Sequence, residues 1–243
     1  MNRRYWLILI SFILMQLSPA VVIPLLVELG YSGTEAELAG TTLLICFSIG
    51  FFVILFLSVT AKPDHEFIRD RADTSQTVLW IILGFFMAYF AQIIVGLIEM
   101  GVFGIEPESE NTQFIVELAT AVPLLMIVVA VFVPIMEEIV FRMVIFGSLY
   151  KRFGFWIAAL ASGFVFAVVH MDFEHLLRYL VVGVVFAFLY VKTKRIIVPI
   201  MAHAGINSFV MIVQVIFGED LQRIMDQMED MQSFLYSIIG GYF

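Results

Sequence analysis

Three short groups of residues place chemistry in otherwise apolar sequence. The first is Glu137-Glu138-Ile139-Val140-Phe141-Arg142. The second is Phe166-Ala167-Val168-Val169-His170, and the third His203-Ala204-Gly205-Ile206-Asn207. Carboxylates and imidazoles are proton donors and acceptors, and each group lies within a run of apolar residues. An ionisable side chain in hydrocarbon costs about 2.5–3.5 kcal/mol on insertion scales, so it marks a function by default. On a helix Glu138 and Arg142 stand at i and i+4 with the acid first, the favourable order for an ion pair. Adjacent residues point about 100° apart, so Glu137 is aimed elsewhere with no partner on its own helix. One ion pair and one free carboxylate are what an active site needs. The competing reading makes all three a structural network between helices. Phe166 and His170 share a face, as do His203 and Asn207, so a histidine and an amide can converge on one point.

Other polar residues carry weaker signals. Pro134 and Pro199 precede two of the groups, and proline inside a helix removes a hydrogen bond and kinks it. Gly205 gives a neighbouring helix room to approach. His65 lies in a charged loop and reads as solvated. His175 with Asp172 and Glu174 reads as an outer-surface cluster, and Glu99 as an interfacial residue. The lone cysteine, Cys46, has no partner for an internal disulfide.

The elements that must position these groups are membrane helices. The chain is 62% hydrophobic and only 14% charged, against about 25% charged in a soluble domain. Mean hydropathy is +1.02. A soluble globule, a disordered chain and a disulfide scaffold are excluded, and the net charge of −8 speaks against nucleic acid. Apolar runs over 5–27, 40–59, 77–98, 113–150 (interrupted by Pro123 and Pro134), 155–170, 176–191 and 196–217 predict an all-α, polytopic transmembrane helical bundle of about seven spans. The first run is too long for a signal peptide and reads as a membrane helix. The connecting segments alternate in charge. Arg3 and Arg4, then Lys62, Arg69 and Arg71, then Lys151 and Arg152, then Lys192, Lys194 and Arg195 fall on one side. Glu28, Glu35 and Glu37, then Glu106, Glu108 and Glu110, then Asp172 and Glu174, then Glu219 and Asp220 fall on the other. Basic loops stay cytoplasmic, so the N-terminus is expected inside and the C-terminus outside. In the tail Leu221, Ile224, Met225, Met228, Met231 and Leu235 recur at helical spacing, which predicts an amphipathic helix.

Three motifs in order, Glu-Glu-x-x-x-Arg, Phe-x-x-x-His and His-x-x-x-Asn on separate spans of a membrane protein, make the chain resemble the CPBP family. These are the CAAX prenyl endopeptidase and bacteriocin-processing (Abi) intramembrane proteases. The resemblance covers 113–217, a protease core flanked by N-terminal helices of unassigned role (1–112) and the amphipathic tail (218–243). It implies endoproteolysis within or at the edge of the bilayer. Glu137 and His170 would activate a water, His203 and Asn207 would stabilise the oxyanion, and Glu138, Arg142 and Phe166 would support them. A carboxylate in an apolar cavity suits a general base, and an amide and a histidine suit an oxyanion. Zn2+ on Glu137, His170 and His203 is the open alternative, although the His-Glu-x-x-His motif is absent.

Two other function classes remain at this stage: a non-catalytic scaffold or regulator, such as bacteriocin immunity, and a proton-coupled transporter. The expected partners are the lipid bilayer and a membrane-embedded or lipid-anchored peptide, and the expected location a bacterial cell membrane. Upright straight helices would put Glu137 about 21 Å, His203 about 12 Å and His170 about 25 Å from the cytoplasmic face. Convergence therefore requires tilted or broken helices.

Overall fold

The computed structural model describes residues 3–61, 70–106 and 109–240. From 219 on it includes the side chains of Asp220, Arg223 and Gln227 only. Every described element is a helix.

The first run is a bent pair, α1 (Arg3–Leu17) and α2 (Pro19–Glu28), meeting at 43°. Pro19 and Pro24 cannot donate the hydrogen bonds that would continue one rod. α3 (Glu35–Val59) opens with a reciprocal capping box, in which the Thr34 N–H donates to Glu37 Oε2 (2.7 Å) and the Glu37 N–H to Thr34 Oγ1 (3.2 Å). α4 (Thr74–Phe103) is capped by Asp73 and stopped by Gly104 at φ +68°. α5 (Glu110–Ala121) ends where Val122, preceding Pro123, turns non-helical.

The next stretch is irregular. α6 (Leu125–Ile127) passes into a π-helical turn, π1 (Val128–Phe132). α7 (Val133–Glu137) follows, and then a longer π segment, π2 (Glu138–Phe146). α8 (Gly147–Val169) is broken at Gly154, where φ of +74° is open to glycine. α9 (Leu176–Thr193) and α10 (Ile197–Gly240) complete the bundle.

By length and composition α3, α4, α9 and the first 22 residues of α10 can each cross a membrane, and the bent α1–α2 pair is a fifth candidate. The expectation of about seven counted each apolar run as one span. Two of those runs are helical but interrupted: 113–150 by Pro123 and the π segments, and 155–170 as the part of α8 beyond Gly154. Pro199 makes no kink, because it lies in the first turn of α10, where its missing N–H needs no partner. The tail does not begin a new helix. α10 continues through Gly218 for 44 residues in all, about 66 Å at 1.5 Å per residue. The tail's apolar side chains, and the loop that holds His65, lie outside the described residues.

The outward surface is apolar. Phe56 and Trp156 are each 68% exposed and Ile94 is 58% exposed, a density of bare hydrocarbon that suits lipid rather than water. Inside, α8 and α9 touch backbone to backbone: a Cβ on Gly183 would stand 2.9 Å from Gly163 Cα. Gly205 is packed by the Phe85 ring, 3.2 Å from where its Cβ would be. The basic segments gather at one end, where the Ala72 N–H donates to the Thr193 carbonyl (3.0 Å) and Arg4 bonds Thr60. Acidic segments gather at the other, where the Ser109 hydroxyl donates to Asp172 (2.6 Å) and His175 bonds the Glu106 carbonyl (3.0 Å).

Candidate active site

The two adjacent glutamates end up in different environments. Glu137 closes α7 and Glu138 opens π2. Glu138 and Arg142 are fully buried, and Arg142 Nε lies 3.1 Å from Glu138 Oε2. The guanidinium also sits over two aromatic faces, 4.7 Å from the Phe166 centroid and 5.5 Å from that of Phe186. Its Nη atoms donate to no partner among the described residues. The pair is thus held by charge and ring faces in a dry pocket. The other oxygen of Glu138 reaches across to α10 and accepts the His203 Nδ1 hydrogen at 3.0 Å.

That bond orients His203. With its proton on Nδ1 the ring turns Nε2 toward Glu137 Oε2, 3.7 Å away. The ring stacks on Phe186 at 4.8 Å and 25°. His170 is held by the same logic. Its Nδ1 hydrogen goes to the Phe166 carbonyl at 2.7 Å, leaving Nε2 at 4.0 Å from Glu137 Oε1. Tyr179 stacks on its other face at 4.2 Å and 27°. Both imidazoles therefore present Nε2 to one carboxylate. One turn beyond His203 on α10, Asn207 Nδ2 donates to the Val129 carbonyl of π1 at 3.3 Å. Its second N–H is left for another acceptor.

Glu137, His170, His203 and Asn207 line one cavity of about 480 Å³. Glu138 and Arg142 are not in its wall; they lie behind it and fix what is. Phe166 is the hub, since its carbonyl holds His170 and its ring meets Arg142, His170 and His203. The N-terminal helices also contribute wall, through Gln16, Leu43, Phe47 and Gln92.

Zinc would draw on Glu137, His170 and His203, whose donor chemistry suits it. Ligands at about 2.0–2.2 Å from a tetrahedral ion stand about 3.4 Å apart. Here the Glu137 oxygens are 3.7 and 4.0 Å from the imidazole nitrogens, and no group of three or more His, Cys, Asp or Glu among the described residues closes into an ion site. The gaps of 3.7 and 4.0 Å are thus about 0.3–0.6 Å wider than those of a closed zinc site.

Spacing along the chain missed several participants. Tyr179, Val182 and Phe186 line the cavity from one face of α9, at i, i+3 and i+7; that stripe was the available signal. Glu99, expected at the membrane interface, is buried inside the protein. It is 1% exposed and pairs with Arg178 at 2.9 Å, a partner 79 residues away that no local pattern reveals. Likewise, Asp172 and His175 are not a surface cluster. Both are buried, with His175 Nδ1 at 3.0 Å from Asp172 and Nε2 at 3.0 Å from the Glu106 carbonyl. Both ring nitrogens face oxygen acceptors. Burial raises the Asp172 pKa, but hydrogen bonds from Ser109 and His175 outweigh it and hold the carboxyl below its usual value. Tyr179 joins this latch, its hydroxyl 3.4 Å from Asp172 and also 3.4 Å from Asn111.

A family model described as "Type II CAAX prenyl endopeptidase Rce1-like" matches residues 119–209, the stretch that holds every motif residue. The "Putative membrane peptidase YdiL" of Bacillus subtilis (strain 168) is 42% identical over the whole of both chains. The "Membrane-embedded CAAX protease MroQ" of Staphylococcus aureus (strain USA300) is 31% identical, over 97% of this chain and 98% of its own. The "UPF0177 protein YxdF" of Lactococcus lactis matches over a shorter part, 34% identical across 83 residues. No solved structure matches the chain.

Proposed function

The chain belongs to the Rce1-like CAAX prenyl endopeptidase family, bacterial multi-pass membrane proteases, and from that footing we propose that Glu137, His170, His203 and Asn207 carry out its hydrolysis. The substrate is a peptide bond in a membrane-embedded or lipid-anchored peptide. One observation carries the reading: a carboxylate and two imidazole nitrogens separated by 3.7 and 4.0 Å at a cavity wall. These gaps are too long for direct hydrogen bonds and short enough for one water to touch both sides of each.

A water in that gap has two hydrogens and two acceptors, the Glu137 carboxylate and the His170 Nε2 lone pair. Held so, its oxygen lone pair is aimed into the cavity. Attack on a peptide carbonyl carbon passes the water's proton to Glu137 and puts negative charge on the carbonyl oxygen. Asn207 donates its spare N–H to that oxygen. His203, its Nδ1 hydrogen held by Glu138, donates from Nε2 when its ring carries both protons. Collapse breaks the C–N bond, and Glu137 returns the proton to the leaving amine. Arg142 balances Glu138, so Glu137 is the carboxylate of the pair left without a guanidinium partner.

Comparative membrane proteomics of wild type and Glu137→Ala tests the proposal. A membrane-derived fragment present in the wild type disappears in the variant, whose abundance is unchanged. Purified wild-type protein keeps its activity in a chelator. Identical fragment patterns in the two strains would overturn the reading.

A further inference from the structure

The cavity is a well with a floor. Its rim is formed by Ser109 and Thr112 at the start of α5, Met171 in the α8–α9 turn and Arg178 in the first turn of α9. All of these belong to the acidic end of the bundle. Phe186 and His203 are the lining residues of α9 and α10 nearest the basic end, and Glu137 stands beside His203. Beneath them the packing is solid: Arg142, Val144, Phe146 and Ala158 are fully buried. The aromatic stack of Phe146 on Tyr150 and its contact with Tyr190 continue that packing toward the basic end. Among the described residues, none from 70–73, 147–154 or 192–196, the segments of the basic end, lines the cavity.

The floor end carries Arg3, Arg4, Arg71, Lys151, Arg152, Lys192, Lys194 and Arg195. Around the mouth lie Glu106, Glu110, Asp172 and Glu174. Lys and Arg flanking membrane helices are retained on the cytoplasmic side. We propose that the well opens only to the extracytoplasmic side, so that the substrate is a peptide whose scissile bond is presented in the outer half of the bilayer.

The proposal concerns the substrate of the reaction above, but its test needs no activity. Single cysteines are placed in a Cys46→Ala background and treated in intact cells with a membrane-impermeant, negatively charged methanethiosulfonate. Thr112→Cys at the rim and Val210→Cys in the cavity wall are modified without permeabilisation. Arg152→Cys at the floor end is modified only after it. The same pattern is expected when Glu137→Ala is added, so a wrong catalytic assignment and a wrong access side give different results. Modification of Arg152→Cys in intact cells would overturn the proposal. So would failure of Thr112→Cys and Val210→Cys to react from outside.

Discussion

Exchanging each of the two neighbouring glutamates for its amide separates catalysis from folding. Glu138→Gln keeps the shape and an oxygen for His203 but deletes the charge facing Arg142. Two unit charges 3.1 Å apart attract by about 5 kcal/mol at an effective dielectric of 20. Breaking a buried pair costs about 3–5 kcal/mol, because the surviving charge stays dry and unpaired. For a chain of this size that lowers the melting midpoint by about 10 °C. Glu137→Gln removes a carboxylate that accepts no hydrogen bond among the described residues; the two imidazole nitrogens that face it are 3.7 and 4.0 Å away. Its melting midpoint stays level or rises, while cleavage falls by about 10²–10⁴-fold with loss of the general base. The assays are thermal unfolding in detergent and cleavage of a membrane-anchored reporter peptide. The double variant Glu138→Gln/Arg142→Met, which removes both charges, recovers more than half of the lost stability. A Glu137→Gln protein as unstable as Glu138→Gln, or still active, would refute the division of labour.

Three further outcomes are expected. Asn207→Ala lowers kcat about 10²–10³-fold with little change in KM, as loss of one oxyanion donor does, measured by steady-state cleavage. Tyr179→Phe keeps the ring stacked on His170 and stays within a few-fold of wild type, whereas Tyr179→Ala lets the imidazole drift and loses more than about 10-fold, with the pH–rate profile altered only in the alanine variant. The Asp172 carboxyl titrates below its ordinary value of 3.8 when folded, so its contribution to stability is present above pH 3.8 and is lost as the pH falls below it; melting midpoints measured from pH 6 to pH 3 fall more steeply in the wild type than in Asp172→Asn.

The i, i+4 spacing already disclosed the Glu138–Arg142 pair, and the three motifs disclosed five cavity-lining residues, Glu137, Phe166, His170, His203 and Asn207. Both are local, one-helix patterns. What joins the helices left no such trace. The bond from Glu138 to His203 spans 65 positions, and the Tyr179 stack on His170 depends on how α9 lies against α8. The depth mismatch inferred for straight rods is not present, because the stretch that holds Glu137 is no straight rod. It runs through two π segments and follows a break at Pro123, and π turns are set by packing rather than by any residue signature. The buried partners of Glu99 and His175 were hidden for the same reason. A charged residue near the end of an apolar run looks solvated until its distant partner is known.

The dense floor under the well has a consequence for the cell as a whole. Carboxylates and imidazoles strung along water are conductors of protons, and a file of them reaching both faces would short-circuit the energised membrane. Each charge that crosses releases about 2.3 kcal/mol per 100 mV. The layer of Arg142, Val144 and Phe146 acts as an insulator, ending the wet path partway. Hydrolysis inside the membrane then proceeds while the transmembrane voltage is preserved.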